Sequence, residues 1–189
     1  LQADLARSLR RIKPERFTGS LSRREDADLD FAEAASLFGP PLLLDTCVYI
    51  DTLEGSLPPP VEGLLRTRTL MHLSVVLGEL SHNFGRLDPR HPNTRESLDQ
   101  LSGVIEEVPS HRLDDAVSAG ILLEAGIVSG LVFRLGGFQP GQEVAALNDA
   151  TIYLQALDRG YTVLTRNIRD FDFMNQLVPA GRTLFYRVM

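Results

Sequence analysis

Three leucines followed by an acid and a hydroxyl, Leu42-Leu43-Leu44-Asp45-Thr46, constrain this chain more than any other segment. A short, bounded apolar run suits a strand buried on both faces of a parallel sheet. An ionised aspartate at its tip is costly to desolvate without a cation or hydrogen-bond donors. In open α/β sheets, ligands gather at the carboxyl ends of the strands. Asp45 therefore stands where such a protein places chemistry, and other parts of the chain must supply its partners.

From residue 42 onward the pattern alternates between strands and helices. It predicts strands over 42–46, 70–74, 161–165 and 183–188. Predicted helices cover 61–68, 75–84, 143–159 and 168–177. A further helix, capped by Asn93 or Thr94, runs to about Glu106, with 104–108 as an alternative short strand. Asp114 or Asp115 opens a long helix to about Leu135, and Gly160 ends the 143–159 helix at its C′ position. Strands separated by helices predict a parallel sheet covered on both sides, an α/β/α arrangement. Residues 1–40 read differently. A short helix over 3–11, with Leu5, Leu9 and Ile12 on one side, breaks at Pro14. Residues 20–30 are dense in charge, and 30–38 has helical spacing ended by Gly39-Pro40-Pro41. This segment is expected to be an N-terminal helical arm outside the core of a 41–189 domain.

The 189 residues suffice for one domain with a full core and an appendage. Cys47 is the single cysteine, so no internal disulfide can form, which fits a reducing cytoplasm. The charged N-terminus lacks the apolar segment of a secretory signal. The apolar run 121–133 is too short to cross a bilayer and predicts a buried helix, apolar nearly all round. Within it, Gly126 and Gly130 would let another backbone approach closely, inside the chain or across a dimer face. The net charge of −6 argues against coating nucleic acid by bulk electrostatics, yet suits a nuclease whose acids bind cations. Lys13 is the only lysine. Arginine, which supplies the remaining positive charge, forks phosphates well but does not serve as a Schiff-base amine.

Acids or amides recur beside the predicted strand exits. Asp45 ends the first strand, and Glu79 lies just inside the helix that follows His72-Leu73-Ser74. Asp149 sits in Asn148-Asp149-Ala150 on the early part of an apolar helix. The stretch from Leu164 through Thr165-Arg166-Asn167-Ile168-Arg169-Asp170 to Phe171 carries a strand into a polar turn. Each has an ordinary explanation taken singly: a helix cap, a solvated helix face, or a turn closed by side-chain hydrogen bonds. Their joint order is the stronger signal, because a parallel sheet delivers all its strand exits to one edge.

In that order these residues resemble the PIN-domain family, in particular the VapC-like toxins of bacterial toxin–antitoxin pairs, over roughly 42–188. The resemblance implies a three-layer α/β/α sandwich and a metal-dependent endoribonuclease. It places Asp45, Glu79 and Asp149 as metal-binding acids. Asn167 stands at a fourth position that is often Asp, and Asp170 is available to assist one turn later. Thr165 and Thr46 are expected to orient the acids, while Cys47 stands where Asn is frequent. Oxygen donors without a Cys/His cluster favour Mg²⁺ or Mn²⁺. Arg166 and Arg169 flank the turn, where both could fork a phosphate. Arg86, Arg90 and Arg95 form a second group, equally readable as solvated charge. The sequence assigns no stacking partners for RNA bases, and Tyr49 and Phe138 are only candidates. The implied partners are RNA, a second copy and an antitoxin peptide, with no membrane. A strand ending in Asp also opens haloacid-dehalogenase-like phosphatases and receiver domains, but these need a second nearby acid and a downstream lysine. Position 47 is Cys and Lys13 precedes the strand. The remaining alternative is a non-catalytic PIN-like module that binds RNA or protein.

Overall fold

Leu42 and Leu43 are fully buried and Leu44 nearly so, because their strand is the centre of the sheet. The computed structural model describes residues 2–188. Within them five strands, β1 (Leu42–Leu44), β2 (Leu70–Leu73), β3 (Leu113–Asp114), β4 (Thr162–Thr165) and β5 (Arg182–Phe185), lie in the order β3-β2-β1-β4-β5. Every pairing is parallel, with Leu42 beside Leu70 on one side and Thr162 on the other. The intervening helices are α2 (Thr46–Leu53), α3 (Pro59–Thr67), α4 (Ser74–Arg86), α5 (Thr94–Glu106), α6 (Ala119–Gly136), α7 (Glu143–Arg159) and α8 (Ile168–Leu177), preceded by α1 (Gln2–Ile12). The result is the expected three-layer α/β/α sandwich.

Several boundaries differ from the sequence pattern for local physical reasons. Thr46 is the first residue of α2 and not the last of a strand, because the Asp45 carboxylate accepts its backbone N–H. Ser74 likewise begins α4. Leu113 and Asp114 form the short edge strand β3, and α6 starts only at Ala119, where the Ser118 hydroxyl caps Ile121 N. Asp114 looks like a helix cap in sequence, but its buried carboxylate is taken by Gln155 and Arg159 of α7, at 2.7 and 2.8 Å. Residues 104–106 stay helical, and Asn93 contributes no side-chain cap to α5. Segment 30–38 holds only a 3-10 turn, Ala32–Ala34, since Phe31 bridges in parallel to Phe185 and Phe185 N donates to Asp30 O. The last strand stops at Phe185, short of 188.

The arm packs on the domain. Ile12 and Ala32 belong to the buried core, and Leu21 N donates to the Leu135 carbonyl at the end of α6. Arg11 pairs with the buried Glu124 at 2.8 Å. Arg24 grips the fully buried Asp172 of α8 from its backbone N–H at 2.9 Å and its Nε at 2.6 Å, and reaches Asn175 with Nη2.

Helix α6 is not buried all round. Ile121, Ala125, Val128 and Val132 enter the core, whereas Leu122, Gly126 and Gly130 face outward. By length and composition α6 is the one helix among the described residues that could cross a bilayer, yet its inner face packs against protein. The expected close approach at Gly126 and Gly130 does not occur within the chain, where nothing lies within 4 Å of either. The close approaches are at Gly136, against the Phe173 ring, and at Gly181, against Tyr153.

Breaking a buried ion pair from one side strands the remaining charge. Arg24→Ala should therefore cost about 3 kcal/mol of unfolding free energy in urea titrations, while removing an exposed pair such as Arg95–Asp99 should cost well under about 1 kcal/mol.

Candidate metal centre

Three parallel strand exits and the helices that follow them bring Asp45, Glu79, Asn167 and Asp170 onto one cleft of about 370 Å³, which α7 completes with Asp149 and which Thr46, Cys47, Ile50 and Ala145 also line. Asp45 leaves β1 and is 4% exposed. Its carboxylate accepts from Thr46 N at 2.7 Å, from the Thr165 hydroxyl at 2.6 Å and from the Cys47 thiol at 3.2 Å. Burial pushes its pKa up against those donors, and the charge of Glu79 adds to the rise. Glu79 projects from α4, where β2 runs directly into the helix. Its two oxygens accept from the Thr46 hydroxyl and from Asn148 Nδ2, the latter at 2.8 Å.

Asp149 comes from α7 and is 8% exposed. Burial, then the charges of Asp45, Asp170 and Glu79, hold its pKa well above the usual carboxylate range. The turn after β4 completes the set. Thr165 accepts from Asn167 N at 2.9 Å while donating to Asp45, which fixes the turn against the first strand exit. The Asn167 amide then donates to both Asp149 and Asp170, at 3.0 and 3.1 Å. Asp170, in the first turn of α8, is also raised by burial, partly offset by Asn167 and Arg169.

Among the described residues, no three Asp, Glu, His or Cys side chains already close on a single point as ligands. The hydrogen bonds explain why: the carboxylates are spread among neutral donors from Thr46, Thr165, Asn148 and Asn167. The chemistry of the set nevertheless fits a hard divalent cation. It offers carboxylate oxygens only, from four acids that repel one another and have no basic side chain hydrogen-bonded to them.

Other expectations meet different outcomes. The Arg166 Nε lies 3.1 Å from the buried Asp51, with the side chain 41% exposed, so the guanidinium stays at the protein surface but is tethered. Arg169, expected to reach substrate, is bound to the Gly136 carbonyl and stacked on Phe138 and Phe173, 4.7 and 5.4 Å from the ring centroids. Phe138 is thereby occupied, and Tyr49 is buried with its hydroxyl on His72 Nδ1 and does not line the acid cleft. Arg90 and Arg95 pair with the nearby Asp88 and Asp99. Cys47, which stands where Asn is frequent, donates to Asp45 through a half-buried thiol whose pKa is pushed up to about 12. Sequence reasoning missed the supporting roles of Asn148 and of Asp51, which accepts from Tyr186 at 2.7 Å. Asn148 is adjacent to a candidate acid and could have been noticed. The Asp51–Tyr186 pair has no sequence signal.

Because Asp45, Asp149 and Asp170 hold protons more tightly folded than unfolded, the folded state binds more protons. Their contribution to the stability of the metal-free protein should then be fully present below the ordinary carboxylate pKa and be lost as pH rises through the raised folded values, opposite in sign to that of Asp114, whose pKa is lowered. Asp149→Asn should flatten that decline and raise the melting temperature at neutral pH, as followed by circular dichroism across pH.

No family model matches the chain, and no curated protein matches it. Solved structures do. A chain of VapBC2 from Rickettsia felis, crystallised with a DNA fragment from their promoter, has a TM-score of 0.52 at 18% identity, covering 78% of this chain and 99% of that one. A chain of DNA-bound VapBC from Salmonella typhimurium has a TM-score of 0.51 at 22% identity, covering 77% and 97%. The chain thus has the PIN-like α/β/α fold that it shares with chains of these VapBC structures.

Proposed function

We propose that this protein is a metal-dependent endoribonuclease and the toxin of a toxin–antitoxin pair, acting in the cytoplasm. The single observation that carries the catalytic reading is the convergence of Asp45, Glu79, Asp149 and Asp170, from four separate elements, on one cleft. The toxin reading is supported by the fold shared with VapBC chains. An antitoxin protein and a second copy of the chain are the proposed partners on the same ground.

Asp45, Asp149 and Glu79 would hold Mg²⁺ or Mn²⁺, with Asp170 assisting. When bound, such an ion acidifies a coordinated water and neutralises charge on a phosphate. Thr165, Cys47 and Thr46 fix the Asp45 carboxylate, so that its orientation does not depend on the substrate. Thr46 and Asn148 do the same for Glu79. Asn167 spaces Asp149 from Asp170, and half-buried Asp170 would be the group that assists by accepting a proton from attacking water. Attack of water on phosphorus with departure of the 3′-oxygen gives a 5′-phosphate and a 3′-hydroxyl. Arg166, fixed by Asp51, is the candidate contact to the RNA phosphate.

Cleavage of structured RNA in Mn²⁺ tests this reading. Asp45→Asn should lower the rate by more than a hundredfold, because loss of an outer partner alone costs roughly 10–100-fold. Thr165→Val should fall within that smaller range. Equal cleavage by wild type and Asp45→Asn would instead indicate a binding module and a contaminating activity.

A further inference from the structure

A second cavity, of about 650 Å³, opens on a different face of α2 from the acid cleft. Thr46, Cys47 and Ile50 of α2 line the cleft, while Tyr49 and Thr52 line this cavity. Its volume lies in the range of about 300–1,000 Å³ common for small-molecule sites. The walls come from several elements: Leu44 and Leu70 of the sheet, Leu65 of α3, Val104 of α5 and Pro109 beyond it. Such a lining suits a flat apolar body.

Basic groups outnumber acidic ones in this cavity. Arg68, His72, His111 and Arg112 contribute to it, against one carboxylate, Glu107. Arg68 is committed to the Pro40 carbonyl. Arg112 is not comparably engaged: its contact is to the Leu70 carbonyl at 3.5 Å, and no carboxylate among the described residues lies within ion-pair distance of it. His72 is 8% exposed, with Nδ1 2.5 Å from the Tyr49 hydroxyl. Burial keeps the Tyr49 phenol protonated and, with Arg112 nearby, keeps His72 neutral. In the tautomer whose Nδ1 accepts from the phenol, Nε2–H is the ring's remaining donor, with no hydrogen-bond acceptor among the described residues.

We propose that this cavity is a binding site for a small organic anion with an aromatic or branched apolar body, its acid group held by Arg112 and His72. Four basic side chains against one carboxylate, beside apolar walls from several elements, favour this occupant over a protein segment. A ligand seated there touches α2 through Tyr49 and Thr52, and so stabilises the helix that Asp45 caps. The site stands independently of any nuclease activity.

The probes are naphthalene-2-carboxylate and its neutral analogue naphthalene-2-methanol, titrated calorimetrically into the full chain. The carboxylate should bind one to one with a Kd below about 1 mM, and the alcohol several-fold more weakly. Arg112→Gln should weaken the carboxylate at least about tenfold without changing the alcohol. Val104→Phe, which fills the cavity, should abolish binding of both while the far-ultraviolet spectrum stays the same. Asp149→Asn should bind the carboxylate as wild type does, which separates this site from the acid cleft. Equal affinity for the two probes, unchanged binding in Arg112→Gln, or no binding at all would overturn the proposal. So would capture of a peptide alternating leucine and glutamate by a protein that ignores the carboxylate, an outcome that would assign the cavity to a protein partner.

Discussion

Four carboxylates gathered in one cleft repel each other and resist leaving water, and the surrounding architecture is organised around that repulsion. The hydrogen-bonding neighbours that offset it are a backbone N–H, two threonine hydroxyls, a thiol and two amides, none of them a cation. Positive charge close by is diverted elsewhere, with Arg166 on Asp51 and Arg169 on the Gly136 carbonyl. A guanidinium turned inward would satisfy these acids permanently. Neutral donors orient the oxygens without supplying a counter-charge.

Much of this was legible because it depends on local rules. The Leu42–Leu44 run reads as a two-sided buried strand, Gly160 marks a helix end in the left-handed conformation, and parallel pairing sends strand exits to one edge. What escaped depends on distant partners. Asp114 has the local signature of a cap, but its backbone pairs beside Leu73 in the sheet and its carboxylate is taken by Gln155 and Arg159. Segment 30–38 has helical spacing, but Phe31 gains more by pairing with Phe185, over 150 residues later. Arg169 reads as a phosphate fork until Phe138 and Phe173 are seen around it. Tertiary contacts override local preference at these positions, and one sequence does not encode them visibly.

The arm shows the same division. Its sequence reads as an arm outside the core, and Arg24 and Arg11 each neutralise a carboxylate that the domain buries, Asp172 and Glu124. Without these guanidinium groups, α8 and α6 would each carry a costly unpaired charge in the interior. The arm is in this respect a set of counter-ions for the helices beside the site.

The Phe31–Phe185 bridge has a further consequence for how copies of this chain can meet. It covers the open flank of β5, and the other flank of the sheet ends in β3, only two residues long with Asp114 tied inward. Neither flank offers a long row of free amides and carbonyls, so recruitment of a foreign strand is disfavoured. Self-association is thereby steered toward helical surfaces, and an aggregation route open to many exposed sheets is closed off by the fold itself.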